Sequence, residues 1–191
     1  QPTARPAPTA APVPTQAVMA GPQKGGILRF AARPLAEMES LDAVYRKAFG
    51  EYHTDYLLYD NLVALDATGN IQPELAKSWQ NSSDGKTVTF NLEQGIRFQD
   101  GTLFTAQAVK WNMERILDPE VQSTGRNDFL TLTSVDVVDD YTVRFNLSEP
   151  WRPLLASLTL QGGWMSSPTA VENYNSYSNR TGDYGKNPTG T

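Results

Sequence analysis

Residues 73–119 read PELAKSWQNSSDGKTVTFNLEQGIRFQDGTLFTAQAVKWNMERILDP, and this stretch decides the fold. Val88, Phe90 and Leu92 alternate with Thr87, Thr89 and Asn91, the period of two expected of a strand with one apolar face. Asp84-Gly85 stands just before that strand, where a tight reversal needs a residue tolerant of positive φ, and Gln94-Gly95 and Asp100-Gly101 mark further reversals. Thr105 is placed to cap a helix in which Ala106, Val109, Met113, Ile116 and Leu117 follow helical spacing, and Asp118-Pro119 stops it. The stretch is a hairpin feeding a helix.

Downstream, residues 133–139 and 141–147 form a second strand pair with Tyr141, Val143, Phe145 and Leu147 on one face. Asp139 and Asp140 are neighbours at its turn, so their side chains diverge and do not make an acid–base pair. Pro150, Trp151 and Pro153 open a short helix over 154–160, which Gly162-Gly163-Trp164 breaks. Two adjacent glycines at such a break mark a place where the backbone comes close to something. Upstream, Tyr52, Tyr56, Tyr59 and Val63 recur at helical spacing, which predicts a helix over 49–63; its aromatic stripe fits a core wall better than a stacking platform. Thr68-Gly69-Asn70 reads as an exposed hairpin turn, and Trp79 and Trp111 read as core.

Composition narrows the classes. The 191 residues suffice for one ordinary domain, with a mean hydropathy of -0.44, and no window is long and apolar enough for a membrane helix. A net charge of -5 without a basic stripe argues against nucleic acid. Cysteine is absent and His53 is the single histidine, which leaves neither a transition-metal ligand set nor a cysteine nucleophile. No nucleophile-elbow, phosphate-loop or dinucleotide-binding string occurs, so the chain reads as a non-enzyme without a cofactor. The first twenty residues hold five prolines, six alanines and three threonines with Arg5 as the sole charge, the composition of an extended tether.

The ordered strings LAKSW, SSDGKTVTFNL and GIRFQDGTLFTAQAVKWNMER closely resemble the bacterial extracellular solute-binding proteins of family 5, which serve peptide and nickel ABC importers. ILRFA at 27–31, YDNLVALDATGNIQPELA at 59–76 and GDYGKNPTGT at 182–191 extend that resemblance, although Ala43 stands where the family usually has proline. The resemblance implies an α/β (mixed α+β) fold of the type II periplasmic-binding-protein kind, the first lobe of a two-lobed protein whose second lobe is absent. It divides the chain into a disordered linker at 1–22, a first strand and cleft segment at 23–48, an α/β subdomain at 49–172 and a truncated return segment at 173–191.

Its functional implication is capture of oligopeptides or dipeptides outside the cytoplasmic membrane and delivery to ABC permease subunits by a monomer. The protein would be periplasmic or at the cell surface, lipid-anchored through a cysteine upstream of Gln1. Arg33, Pro34 and Leu35 after the first strand, and Gly162, Gly163 and Trp164 near the return, are the expected ligand-binding residues. Oligosaccharide or nickel chelate is the alternative ligand within the family, and an exported carbohydrate-active enzyme or lectin is the alternative from another class.

Overall fold

A computed structural model of the chain describes residues 40–45, 55–179 and 182–191. The linker at 1–22, the strand at 27–31, His53 and the expected ligand residues Arg33, Pro34 and Leu35 lie outside that set. The predicted helix over 49–63 falls partly outside it as well, and its described part is different. Asp55 starts a turn in which its carbonyl accepts from the Leu58 and Tyr59 N–H groups. The chain then straightens into β1 (Val63–Leu65), which pairs antiparallel with β2 (Ile71–Pro73). Val63 is thus a strand residue: it pairs with Pro73 across the 68–70 turn while Leu62 bonds to Gly163, contacts that helical spacing does not announce. The Thr68-Gly69-Asn70 turn is where it was expected, tied by the Asp66 carboxylate to the Thr68 and Asn70 N–H groups.

The main sheet has four antiparallel strands. β3 (Ala76–Asn81) and β4 (Thr87–Leu92) form the expected hairpin, with Trp79 opposite Phe90 and Asn81 opposite Val88. Gly85 sits in its turn with φ of 69°, and Asp84 accepts from Ser82 Oγ and the Lys86 N–H. β5 (Leu132–Asp139) and β6 (Thr142–Leu147) form the second pair, and the sheet order is β3-β4-β6-β5.

Alternation then fixes the two faces. Val88, Phe90, Leu92, Val143, Phe145 and Leu147 are buried together, with the Phe90 and Phe145 rings edge-on at 5.1 Å. Each such ring contributes roughly 3 kcal/mol by burial. The outer face is polar: Asn91 donates to Ser78 Oγ, and Asn146 donates to Ser134 Oγ and Asp136. Both outermost strands carry irregular register, between Ala76 and Ser78 in β3 and near both ends of β5.

α1 (Ala106–Leu117) covers the apolar face, packing against β5 and β6 through Val109, Met113 and Ile116. Thr105 occupies the cap position in extended conformation, but its hydroxyl makes no capping bond. The Ala106 N–H is instead taken by the Asp140 carbonyl at 2.8 Å, so the β5–β6 turn holds the helix start. At the other end Asp118 leaves helical geometry, as its neighbour Pro119 demands.

α2 (Leu154–Ser157) is shorter than the predicted 154–160 helix and passes into a turn through Thr159. α3 (Pro168–Asn173) follows, capped by Ser167 Oγ accepting from the Ala170 N–H. The end of the chain returns to this lobe: Gln99 N–H donates to the Gly190 carbonyl and Gly190 N–H donates to Gln99 Oε1, both at 2.9 Å.

Candidate functional site

Three of the expected ligand residues, Gly162, Gly163 and Trp164, stand together. Gln161–Gly163 is a single 3-10 turn, and Trp164 leaves it in extended conformation. The strand-like approach to β1 receives it: the Leu62 N–H donates to the Gly163 carbonyl at 3.2 Å, Met165 N–H donates to the Asp60 carbonyl, and Asn61 bridges to Trp164. A Cβ on Gly163 would lie 1.7 Å from the Leu158 carbonyl oxygen, and one on Gly162 would lie 2.1 Å from the Phe129 ring. The close approach that the glycine pair announced is therefore to this lobe's own backbone and core.

Trp164 is 1% exposed. Its ring stacks on Tyr59 at 6.4 Å and meets the edge of Tyr56 at 5.7 Å, with Ala43 completing the cluster. Tyr56 Oη donates to the Thr159 carbonyl, and Tyr59 Oη donates to the Leu41 carbonyl. What the neighbourhood offers to the outside is Tyr56, Leu57 and Leu160, which are 51%, 74% and 46% exposed. Gly162, Gly163 and Trp164 lie behind that rim and give it its shape.

Beside this cluster is an ion pair that the sequence reading missed. Arg115 projects from α1 with no exposed surface, and its Nη1 and Nη2 donate to the two carboxylate oxygens of Asp42 at 3.0 and 2.6 Å. Its remaining donors reach the Tyr177 and Ser176 carbonyls, both at 2.9 Å. Trp111, Tyr45 and Tyr177 surround the guanidinium with ring centroids 5.6 to 6.0 Å away. Burial opposes the charge on Arg115, but the field and hydrogen bonds of Asp42 more than offset it, so its pKa is raised.

Two carboxylates flank Asn61 in this region. Glu74 Oε2 accepts from the Asn61 N–H at 3.1 Å. Burial raises the pKa of both Asp60 and Glu74, and for Glu74 the charge of Asp60 adds to it. Asp100 behaves oppositely: burial raises it, yet hydroxyl donors on Ser167 and Thr102 outweigh that and leave it lowered. Among the described residues no group of three or more histidine, aspartate or glutamate side chains is placed to hold a metal, and no helix is long and apolar enough to cross a membrane.

Residues 70–191 of this mixed α/β lobe match the model of the bacterial extracellular solute-binding proteins, family 5. The chain belongs to that family, and its fold is that of one lobe of a type II periplasmic binding protein. It is 37% identical over 116 residues to the glutathione-binding protein GsiB of Shigella flexneri, covering 61% of this chain and 23% of that protein. Among solved structures it resembles AgaA from A. tumefaciens R10 in complex with agropinic acid, with a TM-score of 0.71 and 30% identity over 80% of this chain and 30% of that one. DppA from Helicobacter pylori, a periplasmic binding protein of an ABC transporter in complex with the peptide STSA, matches with a TM-score of 0.69 and 28% identity, covering 80% of this chain and 33% of that one. The chain thus spans about a quarter of the length of the curated relatives it matches.

Proposed function

We propose that this lobe belongs to the substrate-binding component of an ABC importer, one that captures oligopeptides or dipeptides outside the cytoplasmic membrane and passes them to the permease. The observation that carries the reading is the match of this lobe to both a glutathione-binding protein and a peptide-bound DppA. Glutathione is itself a tripeptide, so the two share one ligand class. The task is binding and release, with no bond made or broken in the ligand. The protein would be periplasmic or tethered at the cell surface, with the Pro/Ala/Thr-rich segment as spacer behind a lipid-bearing cysteine upstream of Gln1.

In this reading a second lobe closes over the ligand by hinge motion, and closure is driven by contacts that exist only in the closed state. Main-chain hydrogen bonds hold an extended peptide, and hydrated pockets accept varied side chains. Arg33, Pro34 and Leu35 are ligand-binding residues in this reading. Gly162, Gly163 and Trp164 serve the ligand with them, from behind the exposed Tyr56, Leu57 and Leu160.

Calorimetric titration of the protein carrying both lobes tests this, with glutathione, dipeptides, longer peptides, cello-oligosaccharides and nickel chelates as ligands. Saturable heat with at least one peptide class is expected. Heat with a sugar or chelate and none with any peptide would transfer the lobe to a different ligand class within the family.

A further inference from the structure

We infer that the Asp42–Arg115 ion pair is a positioning device: it holds residues 40–45 in register against the Gln161–Trp164 turn and so sets the rim of the lobe. Its bearing on ligand capture rests on the function proposed above.

Four consecutive residues are each tied to a different part of the chain. Leu41 N–H donates to the Gly185 carbonyl at 2.8 Å, Asp42 takes the guanidinium of Arg115, the Ala43 carbonyl accepts from Gln161 Nε2 at 3.0 Å, and the Val44 carbonyl accepts from Thr124 N–H at 3.0 Å. The ties at Leu41, Ala43 and Val44 are neutral hydrogen bonds to single backbone atoms, two of them at the Val44 carbonyl, and a slipped segment could exchange them for others. The pair with Arg115 is different, because a fork of donors meets both oxygens of one carboxylate and admits a single orientation. The guanidinium is itself immobilised by the Ser176 and Tyr177 carbonyls.

The consequence reaches the rim through one residue. With Asp42 fixed, the carbonyl of Ala43 points to Gln161 and its methyl packs with Tyr59 and Trp164. A slip by one residue would withdraw both contacts at once, and the turn carrying Gly162, Gly163 and Trp164 would lose its support from below. Stability alone does not account for such a pair. Well-packed apolar side chains in place of a buried ion pair are often as stable, so what the charges add here is orientation.

Three variants of this chain test the inference: Asp42→Leu with Arg115→Met, Arg115→Lys, and Trp164→Phe to assign the Trp164 indole signal by NMR. The double variant is expected to unfold cooperatively near the wild-type midpoint, while its Trp164 indole resonance shifts or doubles and amide exchange at Tyr45, whose N–H donates to the Asp42 backbone carbonyl, rises at least tenfold. Arg115→Lys keeps the charge but not the fork, and should show the same two changes. A Trp164 resonance and exchange rates equal to wild type in either variant would overturn the inference and leave the pair a structural contact. Should the double variant not fold, the lysine variant decides on the same readouts. None of this needs a ligand, so it stands apart from the titration above: if wild type binds no peptide, the proposed function fails and the NMR result still decides this one. Where the wild-type protein carrying both lobes binds glutathione, the same protein with Asp42→Leu and Arg115→Met should bind at least tenfold more weakly.

Discussion

Gly163→Ala separates two reasons for keeping a glycine behind the rim. The added Cβ would sit 1.7 Å from the Leu158 carbonyl oxygen, 2.6 Å from its carbon and 2.7 Å from Asn61 Oδ1. Reaching even the 3.0 Å floor of real Cβ contacts requires a separation of about 1.3 Å, and the obstacle is backbone, which does not rotate away. The turn must therefore move, and it takes with it the hydrogen bond from Leu62 N–H to the Gly163 carbonyl. Overpacking of this kind costs about 1–3 kcal/mol and the lost bond about 1 kcal/mol, so the variant should lose about 3 kcal/mol. For a domain of this size that lowers Tm by about 10 °C. Urea and thermal unfolding measure it, with Gly69→Ala as the comparison: φ is +84° there but nothing lies within 4 Å, so about 1 kcal/mol is expected. A Gly163→Ala protein within about 0.5 kcal/mol of wild type would refute the packing account. Lost ligand binding at full stability would mean that the glycine is kept for the ligand.

Phe145→Ala removes a fully buried ring from the centre of the sheet and should cost about 3–5 kcal/mol by urea unfolding; a loss below about 1 kcal/mol would contradict the core described above. Asp60 and Glu74 have pKa values raised on folding, so each favours the folded state below its unfolded pKa and loses that contribution as pH rises through its folded value. Glu74→Gln, whose amide oxygen can still accept from Asn61 N–H, should therefore gain stability relative to wild type at neutral pH and lose that advantage in acid; unfolding curves from pH 4 to 8 decide. Asp66 is shifted the other way by Thr68 and Asn70, so its contribution is present above the usual aspartate pKa and lost as pH falls. Its carboxyl carbon should titrate below the ordinary aspartate range by NMR, and an ordinary value would show that the turn does not hold it.

What could be read ahead of the structure followed the range of the interactions. The alternation of Val88, Phe90 and Leu92, the Asp84-Gly85 turn and the α1 periodicity are local, and each is realised. The tyrosine spacing of Tyr56 and Tyr59 misled because it stops at a turn: beyond it, Asn61 and Val63 answer to Trp164 and Pro73. Thr105 had the right residue type for a cap, but the Asp140 carbonyl, brought in by a distant strand pair, supplies the partner. At the candidate site, the glycine pair correctly announced a tight approach and could not say to what. Asp42 and Arg115 stand 73 residues apart, and neither belongs to a pattern that names the other. The one available signal was a polar pair at helical spacing, Asn112 and Arg115, set among Val109, Met113 and Ile116 on the buried side of the helix.

The irregular register at the sheet's margins bears on how this lobe behaves in a crowd of its own kind. Among the described residues β3 and β5 are the outer strands of the sheet, and beyond Ala76, whose N–H is taken by the Leu62 carbonyl, a straight row of their backbone groups would template pairing with a second molecule. The shifts between Ala76 and Ser78, Leu132 and Ser134, and Val137 and Asp139 bend those rows out of line, and Lys77, Asp136 and Asp139 place charges along them. Strand-to-strand aggregation is thereby blunted at both margins, even where Val137 and Val138 leave apolar surface beside the seam.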